Sequence, residues 1–224
     1  EFSAGTDSDG CGRVSDHNTE WTADLRALEI FEVYYLAPID NLSSILTTGI
    51  LPHNEVAKRN LSHIDISLPS VQQRRSFRGL HDFVPLYFAC KTPMSYKRRD
   101  QTPELCILVV DVAMLGQRVE LLRFTDGNGG TTETGIYFHS SDLADNLPLE
   151  VIRAEYWHQR PDGRRKRSAE LLAHPAVPTQ SITEVKVALV GGKTVCDTAI
   201  ERARALYPDD WVCSCVVDPD SFFV

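Results

Sequence analysis

Two almost unbroken apolar runs, residues 84–89 and 105–112, constrain this chain more than any other feature. A strand with one wet face alternates apolar and polar residues, so runs without alternation fit strands buried on both faces. Residues 30–37, 118–124, 168–173, 182–190 and 212–217 read as further strands. Ile39, Leu42, Ile45 and Leu46 recur at helical spacing, with Asp40 or Asn41 to cap the start and Gly49 to end it. Pro69 opens a short helix that Gly79 ends, and residues 148–157 read as another. Val195, Ala199, Ile200, Ala203 and Leu206 mark one face of a last helix, stopped by Pro208.

At 224 residues and 42% hydrophobic, the chain can bury one proper core. Residues 1–22, rich in Gly, Ser, Asp, Asn and Thr, read as a flexible tail, and residues 23–224 as a single domain. The longest apolar run, residues 105–115, is interrupted by Asp111 and is too short to span a membrane, and the acidic, polar start is not a cleavable leader. A net charge of -8 argues against a protein that coats nucleic acid non-specifically, although local basic clusters can still hold a short strand. The cysteines at 11, 90, 106, 196, 213 and 215 have no CxxC spacing and no paired histidines, so no metal is expected; they read as reduced apolar residues of a cytoplasmic protein.

Charge is concentrated in two places. Arg74, Arg75 and Arg78 occupy the last turn of the Pro69 helix, followed closely by His81, Asp82, a buried strand and Lys91, an arrangement suited to an anionic ligand. The polar, aperiodic residues 53–67 before it read as a long loop that covers something. The second place is the run 158–167, with five cations from Arg160 to Arg167, directly before a strand that carries Glu170. Attraction to a polyanion and a carboxylate able to grip a sugar hydroxyl are thereby brought together. Residues 96–100 read as a solvated charged turn, and turn chemistry accounts for the glycines of residues 125–130, which lack GxGxxG or GxxxxGK[ST] spacing.

Four segments, in order, resemble the DarT family of ADP-ribosyltransferases, which use NAD to modify a base in single-stranded DNA. They are Tyr34 to Leu42, Val71 to Arg75, His81 to Met94, and Tyr156-Trp157 followed by Ser168-Ala169-Glu170-Leu171-Leu172. The most specific is His81-Asp82-Phe83-Val84-Pro85-Leu86-Tyr87-Phe88 with Pro93-Met94. The resemblance implies an α+β, ADP-ribosyltransferase-like fold: a bent mixed β core with an NAD cleft and peripheral helices. NAD would be consumed as a co-substrate.

By position, Glu170 resembles the family's catalytic glutamate and Arg75 its active-site arginine. Tyr35, Ala37, Asn41, Arg75, Tyr87 and Met94 would contact NAD; Arg74, Arg78, Lys91, Tyr156, Arg164, Arg165 and Lys166 would contact DNA. A histidine commonly follows the first tyrosine in the family, and here that position is Tyr35. The implied chemistry breaks the nicotinamide glycosidic bond and moves ADP-ribose to a base. A carboxylate near the ribose would hold its 2'-hydroxyl and offset developing positive charge. Arginine stays protonated and is a poor base, so Arg75 would stabilise a deprotonating thymine or bind the NAD phosphates. The expected protein is a monomeric toxin acting on thymidine in single-stranded DNA, opposed by a macrodomain antitoxin. The alternatives are guanosine as acceptor, or a non-catalytic module that holds NAD or single-stranded DNA, as Tyr35 and the acidic charge suggest.

Overall fold

The computed structural model describes residues 13–207 and 211–223. Its strands are β1 (Glu32–Pro38), β2 (Val84–Tyr87), β3 (Leu105–Asp111), β4 (Leu121–Thr125), β5 (Ile136–Tyr137), β6 (Glu170–His174), β7 (Ile182–Val187) and β8 (Ser214–Val217). They form one sheet in the order β5-β4-β6-β2-β1-β3-β7-β8. Neighbours are antiparallel except for the parallel pair β7 and β8, so the sheet is mixed. The two runs without alternation become inner strands β2 and β3, as burial on both faces requires.

The α-helices are α1 (Arg13–Ala27), α2 (Leu42–Thr48), α3 (His53–Lys58), α4 (Pro69–Phe77), α5 (Pro93–Lys97), α6 (Val112–Gly116), α7 (Leu143–Asn146), α8 (Leu149–Ile152), α9 (Gly163–Lys166) and α10 (Val190–Arg204). Trp21 and Leu25 of α1, Leu42 and Leu46 of α2, and Cys196 and Ile200 of α10 join the inner strands in the main core. Each of these leucines and the isoleucine contributes about 1.5 to 3 kcal/mol by leaving water.

Register opens the sheet at one place. β1 pairs with β3 along its whole length, from Glu32↔Asp111 to Pro38↔Leu105. β2 pairs along its length with β6, from Val84↔Ala173 to Tyr87↔Glu170. Between these halves, β1 and β2 are paired only at Tyr34↔Tyr87. Where the ladder stops the strands part, and the cleft described below opens there.

Several expectations need correction. The part of the expected tail from residue 13 onward is helical, because Trp21 and Leu25 are fully buried and Asn18 donates to the Val119 carbonyl at 2.5 Å; residues 1–12, with Cys11, lie outside the described residues. Residues 53–67 contain α3, and residues 96–100 continue α5 into a 3-10 turn. Arg98 of that turn donates to the Ile66 carbonyl, so it ties down the segment before α4. The expected helix 148–157 reduces to α8, while the basic run 158–167 contains α9. The strand expected at 182–190 ends at Val187, and α10 begins at Val190. Val195 and Leu206 are exposed, the buried face of α10 being Cys196, Ala199, Ile200 and Ala203. Pro208 lies outside the described residues.

Candidate active site

The site begins with the end of α4. Gly79 takes a left-handed conformation (φ 66°), which turns the chain so that the Leu80 N–H donates back to the Arg75 carbonyl at 3.0 Å. Arg75 is the buried residue of this helix. Glu170 opens β6, and its N–H donates to Thr125 Oγ1 at 3.0 Å, while Thr125 donates to the Gly127 carbonyl at 2.7 Å. Two elements far apart in sequence thus bring one cation and one anion together.

Arg75 Nη1 lies 2.7 Å from Glu170 Oε2 and 3.0 Å from Oε1, with side-chain exposures of 8% and 2%. The Gly129 N–H donates to Glu170 Oε1 at 3.4 Å. A side-chain carbon on Gly129 would stand 2.8 Å from both Arg75 Nη1 and Glu170 Oε2, so any larger residue there would displace the pair. Arg75 Nη2 is buried without a partner, and Arg75 is one of the residues that line a cleft. Burial works against the Arg75 charge, but Glu170 outweighs it and holds the guanidinium pKa above its ordinary value.

The cleft has a volume of ≈ 960 Å³, at the upper end for a small-molecule site. Tyr35, Ala37, Arg75, Tyr87, Met94 and Glu170 all line it. Burial, then Asp65, pushes the Tyr35 phenol up to about 12, and burial, then Glu170, raises that of Tyr87. Both stay protonated and can donate; Tyr87 Oη already reaches Met94 Sδ at 3.5 Å. Asn41 is placed otherwise. Its amide donates to the Ile64 carbonyl at 2.9 Å and accepts the Ile64 N–H at 3.0 Å, so it shapes the cleft through the segment it pins.

The residues expected to hold DNA separate into two groups. Arg74 Nε donates to the Gly130 carbonyl at 2.6 Å; Arg78 donates to the carbonyls of Gly129, Thr131 and Thr134 at 2.8, 2.5 and 2.6 Å. Arg165 pairs with Asp126 at 2.9 Å and Asp162 at 2.5 Å. These three fasten the 126–135 loop, and through Gly129 they support the ion pair. The loop is therefore part of the site, which turn chemistry alone did not indicate. Arg164 is exposed and lines the cleft, as Arg74 and Arg165 do in part. Lys91, Arg78, Tyr156 and Lys166 lie outside the lining; Tyr156 is exposed, and Lys91 stands over the Phe223 ring at 5.6 Å.

His53, Gln72 and His81 also line the cleft. The His53 and His81 rings lie against each other, tilted by 36° with centroids 4.2 Å apart, and His81 Nε2 meets Gln72 Oε1 at 3.0 Å. Burial, then the neighbouring His53, lowers the His81 pKa. His81 stood in the motif block, whereas His53 and Gln72 could be found only from their spatial partners.

Breaking a glycosidic bond calls for a fixed anion beside developing positive charge, and a buried, clamped glutamate in a cleft of a mixed sheet meets that need. Fold and site together define an ADP-ribosyltransferase. A solved structure of Thermus sp. 2.9 DarT with ADP-ribosylated ssDNA superposes with a TM-score of 0.71 at 25% identity, over 87% of this chain and 97% of that one. Residues 34–208 match the family described as DarT, ssDNA thymidine ADP-ribosyltransferase, and the chain belongs to that family. A DNA ADP-ribosyl transferase of Thermus sp. (strain 2.9) is 31% identical over 172 residues, 69% of this chain and 80% of its own length. A DNA ADP-ribosyl transferase-DNA ADP-ribosyl glycohydrolase fusion protein of Thermosipho africanus (strain H17ap60334) is 32% identical over 165 residues. The match covers 70% of this chain and 42% of the fusion, so the chain spans less than half of that relative. Membership carries the family's reaction, NAD-dependent ADP-ribosylation of single-stranded DNA.

Proposed function

We propose that this chain transfers ADP-ribose from NAD to thymidine in single-stranded DNA, with Glu170 and Arg75 as its catalytic residues. The observation that carries the reading is the Arg75–Glu170 pair, buried and clamped by Gly129 in a cleft that two phenols also line. The donors present suit an anionic dinucleotide: a buried, unpaired Arg75 Nη2 and the protonated Tyr35 and Tyr87. NAD, when bound, supplies an ADP-ribosyl group on a glycosidic bond. Glu170 accepts a hydrogen bond from the ribose 2'-hydroxyl and offsets positive charge. Arg75 holds the Glu170 carboxylate in place through Nη1 and, through Nη2, stabilises anionic oxygen, either of a phosphate or of a deprotonating thymine. Tyr35, Tyr87, Ala37 and Met94 contact NAD, and Asn41 acts through Ile64.

In this reading Arg164 faces the DNA strand, while Arg74, Arg78 and Arg165 hold the loop that supports the site. Tyr156, Lys91 and Lys166 belong to its outer surroundings. The protein acts as a monomeric, cytoplasmic toxin whose product is reversed by a macrodomain glycohydrolase, a partner suggested by the Thermosipho fusion. No helix among the described residues is long and apolar enough to cross a membrane. The test is incubation with NAD and oligonucleotides differing in one base, followed by mass spectrometry. Modification confined to thymidine supports the reading; modification of guanosine, or NAD turnover without DNA product, overturns it.

A further inference from the structure

Arg123 of β4 stands outside the cleft in an unusual setting. It pairs in register with Leu172 of β6, two residues from Glu170 on the same face of the sheet. Its guanidinium carbon lies 4.7 Å from the centroid of the Phe83 ring and 4.5 Å from that of Phe138. Rings placed so attract the cation while supplying no acceptor. Among the described residues the Arg123 side chain has no ion pair and no hydrogen bond, and its Nε is buried without a partner. Arg123 as a whole is only half-buried, although its Nε is enclosed. A planar fork with unused donors is the group that matches a phosphate.

The neighbours indicate which phosphate. Phe83 also lines the cleft, whereas Arg123 and Phe138 do not, so Arg123 is one ring removed from the space assigned to NAD. Phe138 is 51% exposed and can offer surface to a base. We propose that Arg123, held beside Phe83 and Phe138, is an anion site for a phosphodiester of the single strand whose base enters the cleft, with Phe138 as a stacking surface for an adjacent base. The assignment rests on the proposed reaction and adds to it a path for the strand on the Phe83 side of the cleft. The competing role is cover: Arg123 shields the small apolar cluster of Leu80, Phe83 and Leu172.

The experiment measures binding of fluorescent oligonucleotides over a range of salt concentrations for wild type, Arg123→Met, Arg123→Lys and Phe138→Ala. NAD affinity by calorimetry and Tm are measured on the same proteins. Met keeps the apolar cover and removes the charge. Arg123→Met is expected to bind the oligonucleotide several-fold more weakly and to lower the log–log salt slope by about 0.7, the value of one phosphate contact on a single strand. NAD affinity and Tm should stay at wild-type values. Arg123→Lys should recover the slope but not all the affinity, and exposed Phe138→Ala should weaken binding without changing the slope. Wild-type slope and affinity in Arg123→Met, or a fall confined to Tm, would reduce the residue to cover and overturn the proposal. Weaker NAD binding with unchanged oligonucleotide binding would assign the anion to the NAD pyrophosphate and overturn it too. The proposed reaction is judged separately, on nicotinamide release and DNA product from the wild type.

Discussion

Arg75 Nη1 contacts both carboxylate oxygens of Glu170, at 2.7 and 3.0 Å, although the two residues are 95 positions apart and nearly shut off from water. A buried ion pair gains little net stability over apolar packing, because both charges must first be desolvated. Its presence in a cleft is therefore better explained by chemistry than by folding.

Glu170→Gln keeps shape and removes charge. NAD and DNA binding should remain within a few fold, while turnover falls by about a hundredfold or more, the scale of losing one electrostatic stabiliser of a charged transition state. Nicotinamide release and DNA modification at saturating substrates measure this; near-normal turnover would remove Glu170 from the mechanism.

Arg75→Met leaves the Glu170 carboxylate buried and unpaired, a cost of about 3 to 5 kcal/mol. The double variant Arg75→Met/Glu170→Gln should regain part of the lost Tm. Equal Tm values for the single and double variants would mean that the two charges do not interact appreciably in solution.

Gly129→Ala places a methyl group where 2.8 Å separates the added carbon from each member of the pair. Overpacking of this kind costs about 1 to 3 kcal/mol, and the carboxylate must move. The expected effect is on kcat, with KM for NAD changed less; a wild-type kcat would show that the glycine loop does not support the pair.

Arg164 and Arg165 are adjacent but should behave differently. Arg165→Ala breaks contacts to Asp126 and Asp162 and should lower stability by about 1 kcal/mol, allowing for solvent screening. Arg164→Ala should leave Tm unchanged and flatten the salt dependence of oligonucleotide binding. The reverse assignment of effects in Tm and binding assays would contradict the geometry.

Burial and His53 lower the folded-state pKa of His81, and burial lowers that of His63, from the ordinary value of 6.5. Both are therefore held neutral by the fold. Their contribution to stability is complete above pH 6.5 and is lost as pH falls through the folded-state values. Tm measured between pH 8 and 5 should drop on the acid side, and His81→Gln should make that drop shallower.

Local pattern was enough where a residue's environment is set by its near neighbours. The apolar runs at 84–89 and 105–112 fitted buried strands, and most of each became inner strands β2 and β3. Pro69 and Gly79 bounded a helix through backbone geometry alone, and the motif block around His81 carried the family. The helix expected at 148–157 stops at Ile152 because tertiary contacts replace its later turns: Arg167 donates to the carbonyls of Val151, Ile152 and Ala154. The same cause explains the basic run, where Arg165 and Arg167 face inward although composition alone suggested a solvated or DNA-facing segment.

The sequence by itself determined which residue types were available: two buried strands, an arginine at a helix end, a glutamate at a strand entrance, and a family signature joining them. Only the tertiary structure decided that Arg75 meets Glu170, that Gly129 caps them, that Arg78 fastens a loop, and that Asn41 holds Ile64. The physical reason is that a side chain's charge and shape are local properties, whereas its acceptor is supplied by whichever distant segment the sheet brings alongside. In this protein that segment is set by the register of β6 against β2 and β4, which no single stretch of sequence encodes.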